Sequence, residues 1–213
     1  MCVWNRIHLL KHTLDLLENQ VDKDFDLYLW NNNINYQNQI DNIIHKKHSF
    51  KTEVTHYPQN IGGVGRFYMA NQISDKYDYV VFIDDDQHFD ENLVKIFREE
   101  SDSKTISGWW AYKTNKEYFN RKPLQIGEEG DYIGTGGMVC PIEPFTHPEL
   151  FDNFPKKYLF LEDIWLTHFC KNKLGYSLKK SRVNINFIPN EIVRDQSHDL
   201  GELKSEFYNY LNK

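Results

Sequence analysis

The stretch Tyr79-Val80-Val81-Phe82-Ile83-Asp84-Asp85-Asp86 constrains the fold more than any other part of the chain. Five apolar residues, mostly β-branched or aromatic, run unbroken into three carboxylates. The apolar part predicts a strand buried on both faces, as in a parallel sheet. Such a strand delivers its last residues to the carboxyl edge, where open α/β sheets bind ligands. Three adjacent like charges repel, and more strongly as solvent is excluded. A divalent cation relieves that repulsion. An all-oxygen set suits Mg²⁺ or Mn²⁺, with a ligand's phosphates completing the shell. The alternative is a solvated acidic turn.

The flanking sequence alternates strand and helix patterns. Met1 to Trp4 predicts a very short strand. Leu9, Leu10, Leu14, Leu16 and Leu17 then follow a helical spacing. Phe25 to Trp30 predicts a second strand, ended by Asn31-Asn32-Asn33, a run that favours turns. A helix over 40–45, a strand over 52–57, a glycine-containing loop over 58–65 and a helix over 66–74 precede the Tyr79 strand. A helix over 92–100 follows it. This β-α-β-α-β-α-β order predicts a mostly parallel central sheet flanked by helices. The second half is less regular. It predicts a strand over 106–112, a polar stretch, and a strand over 132–140 broken by Gly134, Gly136 and Gly137. A helix over 162–174 capped by Gly175, a strand over 183–188 and a helix over 203–211 complete it.

The 213 residues suffice for one large domain with a substantial core. A net charge of −6 with scattered basic residues argues against nucleic acid as a partner. Cys2, Cys140 and Cys170 show no metal or disulfide spacing, and a sparse, odd set fits a reducing, cytoplasmic location. No apolar run is long enough to span a bilayer. The sequence leaves two origins open: a small complete protein, or one part of a longer multidomain polypeptide.

Four features carry the chemistry: Val3-Trp4-Asn5-Arg6, Asn60-Ile61-Gly62-Gly63-Val64-Gly65-Arg66, Asp84-Asp85-Asp86, and Glu162-Asp163 opening a late helix. Gly62, Gly63 and Gly65 permit positive φ and close backbone approach to a ligand. Amides at such a loop suit an anion, and Arg66 adds a bidentate phosphate donor. The plainer reading is an ordinary glycine-rich turn with a surface arginine. The loop matches neither the Walker pattern nor the dinucleotide fingerprint.

In this order and spacing the four features resemble the family 2-like glycosyltransferases of the GT-A fold. The resemblance runs from Val3 to about His198. The size and sequence are also similar to a glycosyltransferase domain encoded by a large chlorella-infecting virus. The resemblance implies one GT-A domain over 1–213, with a nucleotide-binding half to about residue 100 and an acceptor and sugar half beyond. It implies a metal-dependent enzyme that moves a hexose or deoxyhexose from a UDP-sugar to a hydroxyl of a glycan or glycoprotein acceptor. Mapped onto this chain, Asp86 binds Mn²⁺ (or Mg²⁺), Asp84 holds the ribose or a metal-bound water, and Asp85 lies near the sugar. His198 is a candidate further ligand, against the reading of an exposed loop histidine. Val3 and Asn31 cradle the base, with Asn5, Arg6, Asn60, Gly62, Gly63 and Arg66 around the nucleotide and Gly136 and Gly137 near the sugar. Asn31 stands where relatives commonly carry Asp.

By the same resemblance, Asp163 is the candidate general base and Glu162 the acceptor holder. Both also suit a helix N-terminus, where negative charge is stabilising. Trp109, Trp110 and Tyr112 are candidates for a sugar-stacking wall, with one of the two tryptophans expected in the core because alternate strand residues face opposite ways. Two other functions remain: a sugar nucleotidyltransferase, whose basic N-terminal glycine loop the sequence lacks, and a silent nucleotide-sugar or carbohydrate-binding module.

Overall fold

The computed structural model describes residues 1–189 and 200–212. The chain opens with β1 (Cys2–Val3), α1 (Ile7–Glu18), β2 (Leu27–Asn31), α2 (Gln37–Ile44), β3 (Thr52–His56), α3 (Gly65–Gln72), β4 (Tyr79–Phe82), β5 (Gln87–Phe89) and α4 (Leu93–Glu100). There follow β6 (Thr105–Gly108), β7 (Ala111–Thr114), β8 (Arg121–Pro123), β9 (Tyr132–Ile133) and β10 (Met138–Pro141). The chain closes with α5 (Pro148–Asp152), α6 (Glu162–Leu174), β11 (Ser177–Lys180), β12 (Ile185–Phe187) and α7 (Gly201–Leu211).

The architecture is α/β, as the alternation implies. β1, β2 and β3 form a parallel ladder, with Cys2 opposite Trp30 and Leu27 opposite Thr52. β4 does not join that ladder. It pairs antiparallel with β10, which also pairs antiparallel with β6, and β11 lies parallel to β6 on its far side. The Tyr79 strand is therefore not the doubly buried strand of a parallel sheet. Tyr79 is exposed and Val80 and Val81 are half-buried, while Phe82 and Ile83 are buried. Its hydrophobicity arises because its two faces feed different cores. Phe82 joins Phe67, Phe145, Leu166 and Phe207 on one side. Ile83 joins Leu10, Leu14, Leu29 and Phe97 on the other.

Two local differences bear on the site. The strand expected over 106–112 breaks after Gly108 and resumes at Ala111, so Trp109 and Trp110 fall in the break. Freed from strand alternation, both rings lie together, with centroids 5.2 Å apart, and both pack on Phe187. α6 begins at Glu162 and ends where Gly175 takes φ +72°, a left-handed C-cap glycine adopts without steric cost.

Candidate active site

The carboxyl ends of β1 and β4, the loop before α3, the β9–β10 loop and the first turn of α6 meet around a cleft of about 470 Å³. Its lining includes Val3, Asn5, Arg6, Asn60, Gly62, Gly63, Arg66, Asp84, Asp85, Asp86, Gly136, Glu162 and Asp163. Asn31 and Gly137 are not part of that lining. Asn31 is fully buried, and its amide bonds the Asn33 carbonyl and His56 Nδ1. Its neighbour Asn32 lines the cleft instead. Asn32 accepts from Trp30 Nε1 and the Ile61 N–H and donates to the Gly62 carbonyl, so it fixes the glycine loop from behind. Gly137 takes φ +80° behind the cleft wall, where a Cβ would meet Ile185 at 2.4 Å. His198 lies outside the described residues.

Two arginines organise the carboxylates. Arg6 donates from Nε and Nη2 to Asp85 Oδ1 at 2.9 and 2.6 Å, and from Nη1 to Asp86 Oδ2 at 2.9 Å. Asp85 and Asp86 are both buried, whereas the Asp84 side chain keeps 30% of its surface open. Arg66 is itself buried and donates from Nη2 to Asp84 Oδ1 at 2.8 Å, with Glu162 Oε1 at 4.0 Å. Burial opposes the charge on Arg66, but Asp84, Cys2 and Glu162 outweigh it and hold the guanidinium protonated.

The Glu162–Asp163 pair differs from the Asp84–Asp86 trio. Burial pushes the Glu162 carboxyl up, to about 7; Arg66 pulls against this and the neighbouring Asp163 charge adds to it. Thr135 Oγ1 donates to Glu162 Oε1 at 3.4 Å. Asp163 accepts from the Tyr132 hydroxyl through Oδ2 and from the Ile164 N–H at 2.8 Å through Oδ1. Burial pushes the Tyr132 hydroxyl well up, and the Asp163 charge adds to that, so the phenol remains a donor.

Glycine is required at two points. A Cβ on Gly63 would sit 1.6 Å from Glu162 Oε1, and one on Gly136 would sit 2.1 Å from Asp84 Oδ2. Gly63→Ala must therefore displace the Glu162 carboxylate from its place beside Arg66. It should cost about 1–3 kcal/mol of stability as an overpacked site does. Gly201→Ala, whose Cβ meets nothing within 4 Å, should leave stability near the parental value. Thermal melting of the two variants checks this.

The sequence did not single out several residues that the fold brings here. Gln87 is buried and accepts the Asp84 N–H at 3.0 Å. Tyr118, Arg121, Tyr132 and Phe160 also line the cleft. Arg121 lies 4.4 Å from the Tyr112 ring and 4.5 Å from that of Tyr118. No local pattern marks them, because each is recruited by tertiary packing. Tyr132 alone carried a signal, two residues before the glycine-rich break.

Solved structures share this arrangement of elements. The chain superposes on S. aureus TarS 1–349 in complex with UDP with a TM-score of 0.56 and 15% identity, over 84% of this chain and 55% of that one. The TarS complex with UDP-GlcNAc gives 0.57 and 16%, over 84% and 53%. GalNAc-T7 with UDP, GalNAc and Mn²⁺ gives 0.60 and 9%, over 79% and 39%. The fold is GT-A. At these identities the likeness is one of fold, and the match spans about half of the TarS chain. No protein-family model matches the chain, and no curated protein does.

Within this GT-A frame the donor set fits a hard divalent cation. Among the described residues no three metal-binding side chains converge on one point. Mg²⁺-type sites commonly use only one or two carboxylates and take the rest of the shell from phosphates and water. Asp84 Oδ2 faces the space that Gly136 leaves open, and all the carboxylates offer oxygen donors of the right chemistry.

Proposed function

We propose that this protein is a metal-dependent glycosyltransferase that moves a hexose or deoxyhexose from a UDP-sugar to a hydroxyl of a glycan or glycoprotein. The observation that carries the reading is the bridge made by Arg66. One buried guanidinium reaches Asp84 on the donor side and Glu162 on the acceptor side, beside a glycine loop and within the same cleft as Asp163. A silent binding module has no need of a second carboxylate pair facing the first.

In this reading the base rests near Val3, Asn5 and Asn32, and the diphosphate lies along the Gly62–Gly63 backbone beside Arg66. Asp84 and Asp86 would hold Mn²⁺ or Mg²⁺, which supplies neutralisation of the charge that develops on the departing diphosphate. Glu162, protonated over part of the neutral range, binds the acceptor hydroxyl. Asp163 takes that hydroxyl's proton as its oxygen attacks the anomeric carbon and the bond to the diphosphate breaks. Tyr132 holds the Asp163 carboxylate in place. Trp109 and Trp110 offer apolar faces to a sugar.

The direct test is turnover. Incubation with UDP-hexoses, Mn²⁺ and glycan acceptors should release UDP only when donor, metal and acceptor are all present. Donor binding without release under every acceptor condition would point to a binding module. A site test accompanies it. Asp86→Asn should lose Mn²⁺-dependent UDP-sugar binding at temperatures where it is still folded, its melting temperature falling as well because Arg6 loses a buried partner. A variant that binds and turns over normally would move the metal away from Asp86.

A further inference from the structure

The other arginines of the described residues have carboxylate partners. Arg6 holds Asp85 and Asp86, Arg66 holds Asp84, Arg98 holds Asp22, and Arg182 holds Glu99. Arg121 has none among the described residues. It opens β8, opposite Thr114 of β7, so the ladder fixes its backbone. Its guanidinium carbon lies 4.4 Å from the Tyr112 ring centroid, 4.5 Å from that of Tyr118 and 5.4 Å from that of Tyr132. Its Nη1 is buried with no hydrogen-bond partner. The tyrosine rings attract the cation, but none supplies a full negative charge. Burial pushes all three hydroxyls up, so the phenols stay neutral.

Lys204 adds a second cation. It stands one turn before Tyr208 on α7, and the Tyr208 ring lies 6.2 Å from that of Tyr118. Residues four apart share a helix face, so Lys204 rides on the face that meets Tyr118. It too has no carboxylate partner among the described residues. Arg121 and Lys204 both line the cleft that contains Asp163. In a chain of net charge −6, two cations without counterions in one cleft stand apart from the rest of the molecule. Their neighbours say what they face. The Tyr132 hydroxyl donates to Asp163, so one tyrosine separates Arg121 from the candidate base. Arg66 sits beside Asp84 and Glu162, so the diphosphate already has a guanidinium of its own.

We infer that the acceptor carries an anionic group, a carboxylate or a phosphate ester, which Arg121 and Lys204 bind while Asp163 takes the proton of a hydroxyl on the same molecule. The inference rests on the transferase reading above. A planar guanidinium meets either anion through paired N–H donors. Contact with the tyrosine rings sets its plane in advance, which lowers the cost of ordering it on binding. Lys204 gives a second point of attachment. Trp110, whose ring lies 5.3 Å from that of Tyr112, offers an apolar face to the sugar that bears the anion.

Matched glycosides test this. Glucosides and galactosides are each used as the neutral sugar, the uronic acid and the 6-phosphate. Each is titrated into protein holding UDP and Mn²⁺, with tryptophan fluorescence as the readout. Each is then offered with UDP-hexoses, and UDP release is measured. At least one anionic glycoside should bind about tenfold or more tighter than its neutral counterpart, with the advantage shrinking at high salt. The uronic acid and phosphate arms separate the two sources of the anion. Arg121→Met should abolish the preference and Lys204→Met should reduce it, with UDP affinity unchanged in both. Arg121→Lys keeps the charge without the planar fork and should retain part of the preference, which covers the case of an Arg121→Met chain that does not fold. No preference for any anionic member, with UDP still released, would overturn the inference and leave the transferase reading intact. Weaker UDP affinity in Arg121→Met would overturn it by moving the cation to the donor. An anion preference that depends on Arg121, with no UDP release under any condition, would support the anion site and count against the transferase reading.

Discussion

Asp163→Asn should lower sugar transfer by ~10²–10⁴-fold, the usual effect of losing a general base. Donor affinity and metal dependence should survive. Asparagine keeps the size of the side chain and an oxygen for the Ile164 N–H, and turns its NH2 towards the Tyr132 hydroxyl, whose oxygen can accept, but it takes no proton at neutral pH. A role confined to the helix N-terminus predicts a different result, a stability loss of about 1 kcal/mol or less with transfer retained. Tyr132→Phe separates positioning from chemistry. It removes only the hydroxyl that holds Asp163, so kcat should fall while donor affinity stays in place. Near-parental transfer by Asp163→Asn would remove that residue from the catalytic set and favour a retaining mechanism, in which the leaving diphosphate helps take the proton.

Arg66→Met should cost about 3 kcal/mol, because removing one partner of a buried ion pair leaves charge without compensation. The loss has a recognisable pH dependence. The Glu162 carboxyl is raised in the folded protein by burial, against the pull of Arg66. A carboxyl whose folded pKa lies above its unfolded one supports the fold fully below the unfolded value, near 4.5, and loses that support as pH rises through the folded value, near 7. Without Arg66 that upper bound moves higher. The variant should therefore run a constant distance below the parent up to about pH 6 and fall further behind it as pH rises past about 7. Melting curves across that range, with Glu162→Gln in the same background, read it directly. A deficit independent of pH would mean that Arg66 contributes packing against Phe82 more than charge compensation.

The cleft residues that fall in contiguous runs were legible from the sequence and the others were not, for a physical reason. The runs lie at Asn60 to Arg66 and Asp84 to Asp86, where local geometry dictates composition. Glu162 and Asp163 were legible for the same reason, since they open a helix. Tyr118 and Phe160 come from irregular segments and Arg121 from the short strand β8, and packing sets the course of all three. Asn31 was misplaced relative to Asn32 by a single position, and in a strand one position reverses the direction of the side chain. The antiparallel seating of β4 on β10 was equally hidden. A two-core strand and a doubly buried parallel strand carry the same hydrophobic run.

The arginine pairs also bear on how the chain reaches its working form. Arg6 meets its carboxylates across 79 and 80 residues, and Arg66 meets Glu162 across the span from α3 to α6. No segment of local sequence contains even half of the cleft. Contacts this distant require the ordering cost of long loops to be met before they form. Helices α1, α3 and α6 can therefore assemble well ahead of the site. Helical content should return early in refolding and nucleotide binding last, so a partly folded chain would look structured while remaining unable to hold a donor.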